Sequence, residues 1–426
     1  MLMRSPHWQS QWHTDACSDA AVVADVAHRA WDAIVIGAGP AGSTAARQLA
    51  LAGAQVLLVD RQTFPRSKPC GGCLNERTIA MLRSTGLSEV LTWLRPVPLE
   101  RLALRTAGGR LELDLPGGAA ILRSQFDAAL VQAAVAAGTV FLPETSAEVK
   151  RILVYAGEQQ MRLVRLAAHG DHVPPTGAAH VQAKIVIAAD GLGHGSLRHF
   201  PELACRVQPS ARIGLGATLE AAPDWCDAGV IAMALGQCGY VGMVRTADDR
   251  LSIAAAVVPT ALRAADRPAQ LVAAILRESG FPLPAGLEAA AWKGTLPLAR
   301  RSRRLADTRI FLIGDAAGYG EPFTGEGIGL AMSAALAVVP YAIEGLSKWH
   351  PRLASEWQAA HRRTAAQGRF GRRLVGVLLG RPWAARRAVS ALAAFPGLAR
   401  PLVRRLSTAP PEALADCRAA VSKPTH

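Results

Sequence analysis

A nucleotide-binding signature split between distant parts of the chain constrains this fold more than any other feature. Near the start, the apolar run Ile34-Val35-Ile36 leads into Gly37-Ala38-Gly39-Pro40-Ala41-Gly42, a G-x-G-x-x-G pattern. Far downstream, Ile310-Phe311-Leu312-Ile313 ends in Gly314-Asp315, and Pro322 and Gly325-Glu326-Gly327-Ile328-Gly329 follow. Two halves of one nucleotide site at this separation imply a binding domain interrupted by other structure.

The context of the first motif is what a dinucleotide site demands. Asp32–Ile36 reads as a strand, Gly37–Gly42 as a tight turn and Ser43–Ala52 as a helix. Gly53 stands at a helix stop, and Gln55–Val59 is the next strand, ending at Asp60. In such a βαβ unit the first glycine permits the turn and the second lets a pyrophosphate approach the backbone. The third lets helix and strand pack closely. The helix N-terminus offers free N–H groups and positive potential to phosphates. Asp60 is placed to accept hydrogen bonds from a ribose.

With 426 residues, two or three domains and an ample core are expected. Half of the residues are hydrophobic and 19% are charged, a globular and not a disordered balance. The net charge of +14 is uneven. Fourteen Arg and Lys against three acidic residues fall in residues 351–426, so that segment carries +11 and the rest is nearly neutral. The seven cysteines are odd in number and scattered, which is not a disulfide framework. No apolar run is read as reaching the roughly 18–20 residues of a membrane span. Residues 1–30 lack the pattern of a signal peptide, so a cytoplasmic location is expected.

Along the chain, Leu99–Leu122 reads as antiparallel strands and Ser124–Ala137 as a helix with Ser124 as N-cap. Residues 140–188 read as further strands with a loop at 169–177, the last strand being Lys184–Ala189. Ile213–Pro259 has β character, Ala269–Ser279 is helical, and Thr295–Arg304 is a basic connector. Gly327–Ala342 closes the nucleotide domain. From Gln358 onward the pattern is helical and Arg-rich, broken at Pro382, Pro396 and Pro401. The assignment is α/β. Residues 1–30 form an extension, and residues 31–98 with 123–145, 180–205 and 305–345 form a discontinuous nucleotide domain. Residues 99–122 and 206–304 form an inserted β-sheet substrate domain, and residues 346–426 a basic helical segment.

As a set, these motifs resemble the flavoprotein superfamily of aromatic hydroxylases, geranylgeranyl reductases and flavin halogenases, over roughly residues 31–345. Ala189-Asp190-Gly191, with Ser196 and Arg198, resembles that group's Asp-Gly motif for FAD and pyridine nucleotide. Arg123 in Leu122-Arg123-Ser124-Gln125-Phe126-Asp127 matches an arginine near the flavin, and Gly314-Asp315 matches the Gly-Asp motif. The resemblance implies a Rossmann-like FAD domain with Asp315 on the ribityl chain. It also aims the N-terminus of the helix beginning near Gly327 at the flavin's pyrimidine edge, where its dipole stabilises negative charge. The cofactor-binding set so implied is Gly37, Gly39, Pro40, Ala41, Gly42, Asp60, Arg61, Gly71, Gly72, Arg123, Asp190, Gly191, Gly314, Asp315, Gly325, Gly327 and Ile328. NAD(P)H is the implied electron donor.

Within the superfamily, Pro65-Arg66-Ser67-Lys68-Pro69-Cys70-Gly71-Gly72 and Pro322-Phe323-Thr324-Gly325-Glu326-Gly327-Ile328 resemble the geranylgeranyl reductase branch. The branch's Gly-Tyr-Gly-Trp-Phe-Pro strand corresponds here to Gly239-Tyr240-Val241-Gly242-Met243-Val244, without its tryptophan and proline. The halogenase segment Trp-x-Trp-x-Ile-Pro is absent, so halogenation is not expected. The implied activity is reduction of C=C bonds in a hydrophobic isoprenoid-like or lipid-like substrate. The alternative is a monooxygenase acting on an aromatic or polyketide-like substrate. Three readings stay open for Cys70 and Cys73: a redox dithiol, a residue beside flavin or substrate in the case of Cys70, or plain structural cysteines. Tyr240 and Glu326 are candidate proton donors; the bland readings are a core tyrosine and a solvated loop charge. The Arg-rich and apolar C-terminal segment suggests an interfacial helix on anionic lipid, against a packed helix with a solvated basic face. No nucleic-acid motif is present.

Overall fold

The computed structural model describes residue 26 and residues 28–156, 159–168, 178–320, 323, 325–366, 369–398 and 401. Nearly all of the N-terminal extension, the 169–177 loop, Pro322, Thr324 and residues 402–426 lie outside the described residues.

The nucleotide domain is built on a parallel sheet in the order Ile310–Leu312, Ala179–Ala188, Ala30–Ile36, Val56–Val59, Val140–Leu142. Its strands are continuous apolar runs because both faces are covered, and Ile34, Val35, Leu57, Leu58, Ile187 and Phe311 are fully buried. Thr145–Ala156 and Gln159–Ala168 extend this sheet as an antiparallel meander. The strand expected at Lys184–Ala189 therefore begins earlier, because Ala179–Ala183 pairs with that meander.

Three helices cover the sheet: Pro40–Leu51, Arg123–Ala136 and Gly327–Ser347. The second starts at Arg123 with Leu122 as its N-cap, so Ser124 is not the cap. This registers Arg123 against Asp127 one turn on. The third runs five residues beyond the expected Ala342. It is long and apolar enough to cross a membrane, contrary to the sequence reading. Met332, Ala335, Val338 and Ala342 on it are fully buried, as in the core helix of a domain.

The second domain is a seven-stranded sheet in the order Lys293–Pro297, Ile213–Leu219, Leu251–Val257, Gly239–Arg245, Val230–Gly236, Arg101–Thr106, Gly109–Asp114. Its single parallel pair, Arg101–Thr106 with Val230–Gly236, joins the two sequence segments into one sheet. Helix Pro268–Glu278 covers one face with Leu271, Val272, Ile275 and Leu276. The stretch expected as a basic connector is instead two strands. Lys293–Pro297 is the sheet edge, and Arg300–Ser302 lies between Cys205–Val207 and Gly318–Tyr319.

The C-terminal helices are part of the fold. Arg352–Ala366 is anchored by Trp357, which is fully buried and donates from Nε1 to the Leu312 carbonyl at 3.2 Å. Helices Arg369–Leu379 and Pro382–Ala394 cross the seven-stranded sheet, and Ala385 and Val389 pack with Leu104, Leu111, Met233 and Leu235. Arg212 Nη2 donates to the Leu379 carbonyl at 2.6 Å, and Ser390 Oγ to the Gly108 carbonyl at 3.2 Å.

His361 stacks edge-on against Trp357 at 5.4 Å, and burial pushes its pKa down from 6.5 to about 4. The folded protein keeps the ring neutral where the unfolded chain protonates it. The cost is absent above pH 6.5 and grows as pH falls, reaching about 3 kcal/mol near pH 4. His361→Phe should flatten the fall in denaturation midpoint across that window; an unchanged pH profile would contradict it.

Candidate active site

A cavity of about 1080 Å³ is lined by residues of both sheets, of the glycine motifs and of the C-terminal helices. Its nucleotide half is built from close backbone approaches. Gly37 has φ +102°, and a Cβ there would stand 2.4 Å from the Ala189 carbonyl oxygen. A Cβ at Gly42 would stand 1.8 Å from the Gly37 carbonyl oxygen. At Gly314, φ +60°, it would meet Ala41 Cβ at 2.8 Å, so the distant second motif packs directly on the first. Gly39 caps the helix and Pro40 opens it, leaving the first N–H groups free for an anion.

Asp60 braces this turn. Its Oδ2 accepts from the Ala38 N–H at 2.8 Å and its Oδ1 from the Gln62 N–H at 3.0 Å, and both Asp60 and Arg61 line the cavity. At the same end Glu148 is held by Lys150, Arg198 and His199. Burial alone would raise its pKa, but these three partners outweigh it and bring it down to about 2.

A row of charges runs from Asp60 towards Cys70. Arg66 Nη2 lies 3.8 Å from Asp60 and 3.4 Å from Asp127. Arg123 makes a two-pronged pair with Asp127, Nε to Oδ1 and Nη2 to Oδ2, both 3.0 Å. Burial by itself would lower the Arg123 pKa, but Asp127 and the Cys70 sulfur outweigh burial and raise it. Lys68 Nζ stands 3.4 Å from Asp315 Oδ2. Arg66 and Lys68 both line the cavity. They are site residues that the sequence reading did not single out, although both lie inside the Pro65–Gly72 segment it flagged.

Asp190 Oδ2 accepts from the Ser196 N–H at 3.0 Å. Asp190 Oδ1, Ser196 Oγ and Arg66 Nε are buried with no hydrogen-bond partner among the described residues. Orphaned polar atoms are costly unless a ligand satisfies them. With glycine cradles and cations around one cavity, they fit a phosphate- and hydroxyl-bearing ligand such as FAD. Gly191, Gly325, Gly327 and Ile328 also line the wall. Gly71 lines it too, whereas Gly72 lies behind, where its Cβ would stand 2.5 Å from the Ile121 carbonyl oxygen.

The catalytic candidates separate. Cys70 lines the cavity and is not disulfide-bonded. The Cys73 thiol donates to the Gly71 carbonyl at 3.3 Å, and burial together with Cys70 pushes it up to about 12. It is therefore a poor thiolate, which weakens the dithiol reading. Tyr240 is 5% exposed in the wall, with Phe323 edge-on at 5.2 Å and the Arg212 guanidinium over its face at 5.8 Å. Glu326 is neither a solvated charge nor a cavity group. It is 4% exposed and pairs with Arg372 of a C-terminal helix at 3.3 Å.

The other half of the cavity is apolar. Leu102, Leu104, Leu111, Ile231, Met233 and Leu298 come from the seven-stranded sheet and its flank, and Val375, Leu378, Leu379, Val389 and Leu392 roof it from the C-terminal helices.

Comparison with known proteins agrees with this geometry. The FAD binding domain family model matches residues 30–350. Over 103 residues the chain is 44% identical to a menaquinone reductase of Mycobacterium tuberculosis, a stretch that is 22% of this chain and 24% of that protein. It is 27% identical to digeranylgeranylglycerophospholipid reductase 1 of Methanopyrus kandleri, covering 75% of this chain and 82% of that one. The flavin-dependent brominase Bmp2 has the same fold, with a TM-score of 0.72 over 92% of this chain and 98% of the brominase, at 17% identity. The split glycine motifs, the cavity they border and the family match lead to one conclusion: this chain belongs to the FAD binding domain family.

Proposed function

We propose that the chain is an NAD(P)H-dependent reductase of C=C bonds in a hydrophobic, isoprenoid-like or lipid-like substrate. One observation carries this reading: the nucleotide half of the cavity opens without a break into an apolar half walled by leucines. The substrates named for the relatives, menaquinone and digeranylgeranylglycerophospholipid, are isoprenoid lipids and fit such a chamber. Bound FAD supplies hydride transfer. The glycine turns, Arg66 and Lys68 hold the phosphates, and Asp190 and Asp315 face the sugar-like hydroxyls. Leu104, Met233 and Leu379 exclude water. The second carbon of a reduced bond needs a proton, and Cys70 beside Arg123, or Tyr240, is the donor in the wall.

The test is product mass. FAD-loaded protein, NADPH and a geranylgeranyl lipid without oxygen should give products heavier by two hydrogen atoms per bond. A product heavier by one oxygen atom, formed only in air, would overturn the reading in favour of the monooxygenase alternative.

The same proposal places the enzyme at the cytoplasmic face of an anionic membrane. Leu374, Val377, Trp383, Phe395 and Leu398 are 40–71% exposed on the helices that roof the apolar chamber, and Arg373, Arg381 and Arg387 are exposed among them. A basic side chain near such a surface contributes about 1 kcal/mol. Neutralising Arg373, Arg381 and Arg387 together to Gln should therefore weaken binding to phosphatidylserine vesicles on the order of a hundredfold. Binding unchanged by the neutralisation or by salt would contradict membrane docking. Truncation is the poorer test, because it removes Trp357 from the core and the roof from the cavity.

A further inference from the structure

Behind the nucleotide half of the cavity stands a cysteine–histidine pair that the proposed reaction does not use. Cys205 opens the short strand Cys205–Val207, and its Sγ lies 3.1 Å from His194 Nε2 and 2.8 Å from Ser302 Oγ. It is also 3.5 Å from the Ala316 carbonyl oxygen. His194 follows the Asp190-Gly191 motif and has φ +49°, in the left-handed region that favours glycine. Cys205 and His194 are both half-buried.

We propose that Cys205 is a peroxide-reactive thiolate, activated by His194 and Ser302, that is modified to a sulfenic acid. Burial would raise the Cys205 pKa, but His194, Ser302 and Arg300 outweigh it and lower it. Burial would lower the His194 pKa, but Cys205, Asp190 and the Ala316 backbone raise it. The two shifts run in the directions that favour proton transfer from Cys205 to His194, and Asp190 and Arg300 are the other charges acting on the pair. The oxidant is hydrogen peroxide, which a reduced flavin yields when it meets oxygen. The Cys205 thiolate attacks one peroxide oxygen, the S–O bond forms and the O–O bond breaks. The departing hydroxide takes the proton of His194 Nε2 and leaves as water. Sulfur loses two electrons and peroxide gains them. The modified sulfur stands against Ala316, next to Asp315, so the site couples peroxide to the wall of the cofactor cavity. Nothing here depends on which substrate the enzyme reduces.

The experiment treats FAD-loaded full-length protein with stoichiometric hydrogen peroxide at pH 7, traps sulfenic acid with dimedone and maps every cysteine by peptide mass. Cys205 should be trapped roughly tenfold faster than Cys226, whose thiol burial pushes up to about 11, because even an ordinary thiol is only a few per cent thiolate at neutral pH. His194→Gln should remove most of that advantage at pH 7 and little of it at pH 10. Retained flavin absorbance shows that the variant is folded. If His194→Gln does not hold FAD, the wild-type pH profile of iodoacetamide alkylation decides: Cys205 must stay reactive at pH 7, where Cys226 falls silent. Trapping of Cys205 no faster than the other cysteines, or an unchanged rate in folded His194→Gln, would overturn the assignment.

Discussion

Gly42→Ala is expected to yield a colourless, destabilised protein. The added methyl would stand 1.8 Å from the Gly37 carbonyl oxygen, a backbone atom that cannot rotate away. Helix Pro40–Leu51 must then part from the first strand, and the turn that receives the pyrophosphate opens with it. Overpacking against backbone belongs at the upper end of its usual cost, about 3 kcal/mol or more. Gly53→Ala is the control. Gly53 has φ +85° with open space around it, so that change costs about 1–2 kcal/mol and leaves flavin binding intact. Flavin absorbance per protein and urea denaturation read both effects. A yellow Gly42→Ala protein of normal stability would refute the assignment of this turn.

Asp127→Ala has the second large expected effect. Asp127 is fully buried and accepts both prongs of Arg123, and Arg66 stands 3.4 Å away. Removing the carboxylate leaves the buried Arg123 guanidinium without its counter-charge and Arg66 with Asp60 alone, and arginine does not escape by deprotonating. Breaking a buried pair in this way costs about 3–5 kcal/mol. Arg66 and Arg123 both line the cavity, so weaker FAD retention should accompany the loss. An unfolding free energy within about 1 kcal/mol of wild type would show that the pair is dispensable.

Asp127 also shows what the sequence could and could not reveal. Its four-residue spacing from Arg123 is plain, yet the sequence reading capped the helix with Ser124 and so missed the pairing register. The glycine turns were legible because steric need confines them to one residue type, and the strands beside them because their apolar runs are uninterrupted. Thr295–Arg304 reads as a connector because its four Arg cluster at one end and do not alternate with apolar residues; its strands form through pairing with distant partners at 205–207, 213–219 and 318–319. Long-range pairing overrides local pattern in such segments. The C-terminal helices were recognised as helices, but the same leucines can cover a cavity or face a lipid. Residues such as Val375 and Leu378 turn out to do the first, and Leu374 and Val377 are left exposed. Glu326 looked like a loop charge because its partner Arg372 is far away in sequence. The meeting of Cys205, His194 and Ser302 had no signal at all, since it depends on a three-stranded sheet assembled from three separate regions.

The most direct test of the central claim uses the flavin's own colour. Purified FAD-loaded protein is reduced with NADPH under nitrogen until the visible absorbance bleaches, and a geranylgeranyl lipid is then added, still without oxygen. The yellow absorbance should return promptly with the lipid alone, and bulky substitution of Leu104 in the apolar wall should slow that return. Absorbance that stays bleached until air is admitted, or that NADPH never bleaches, would contradict it.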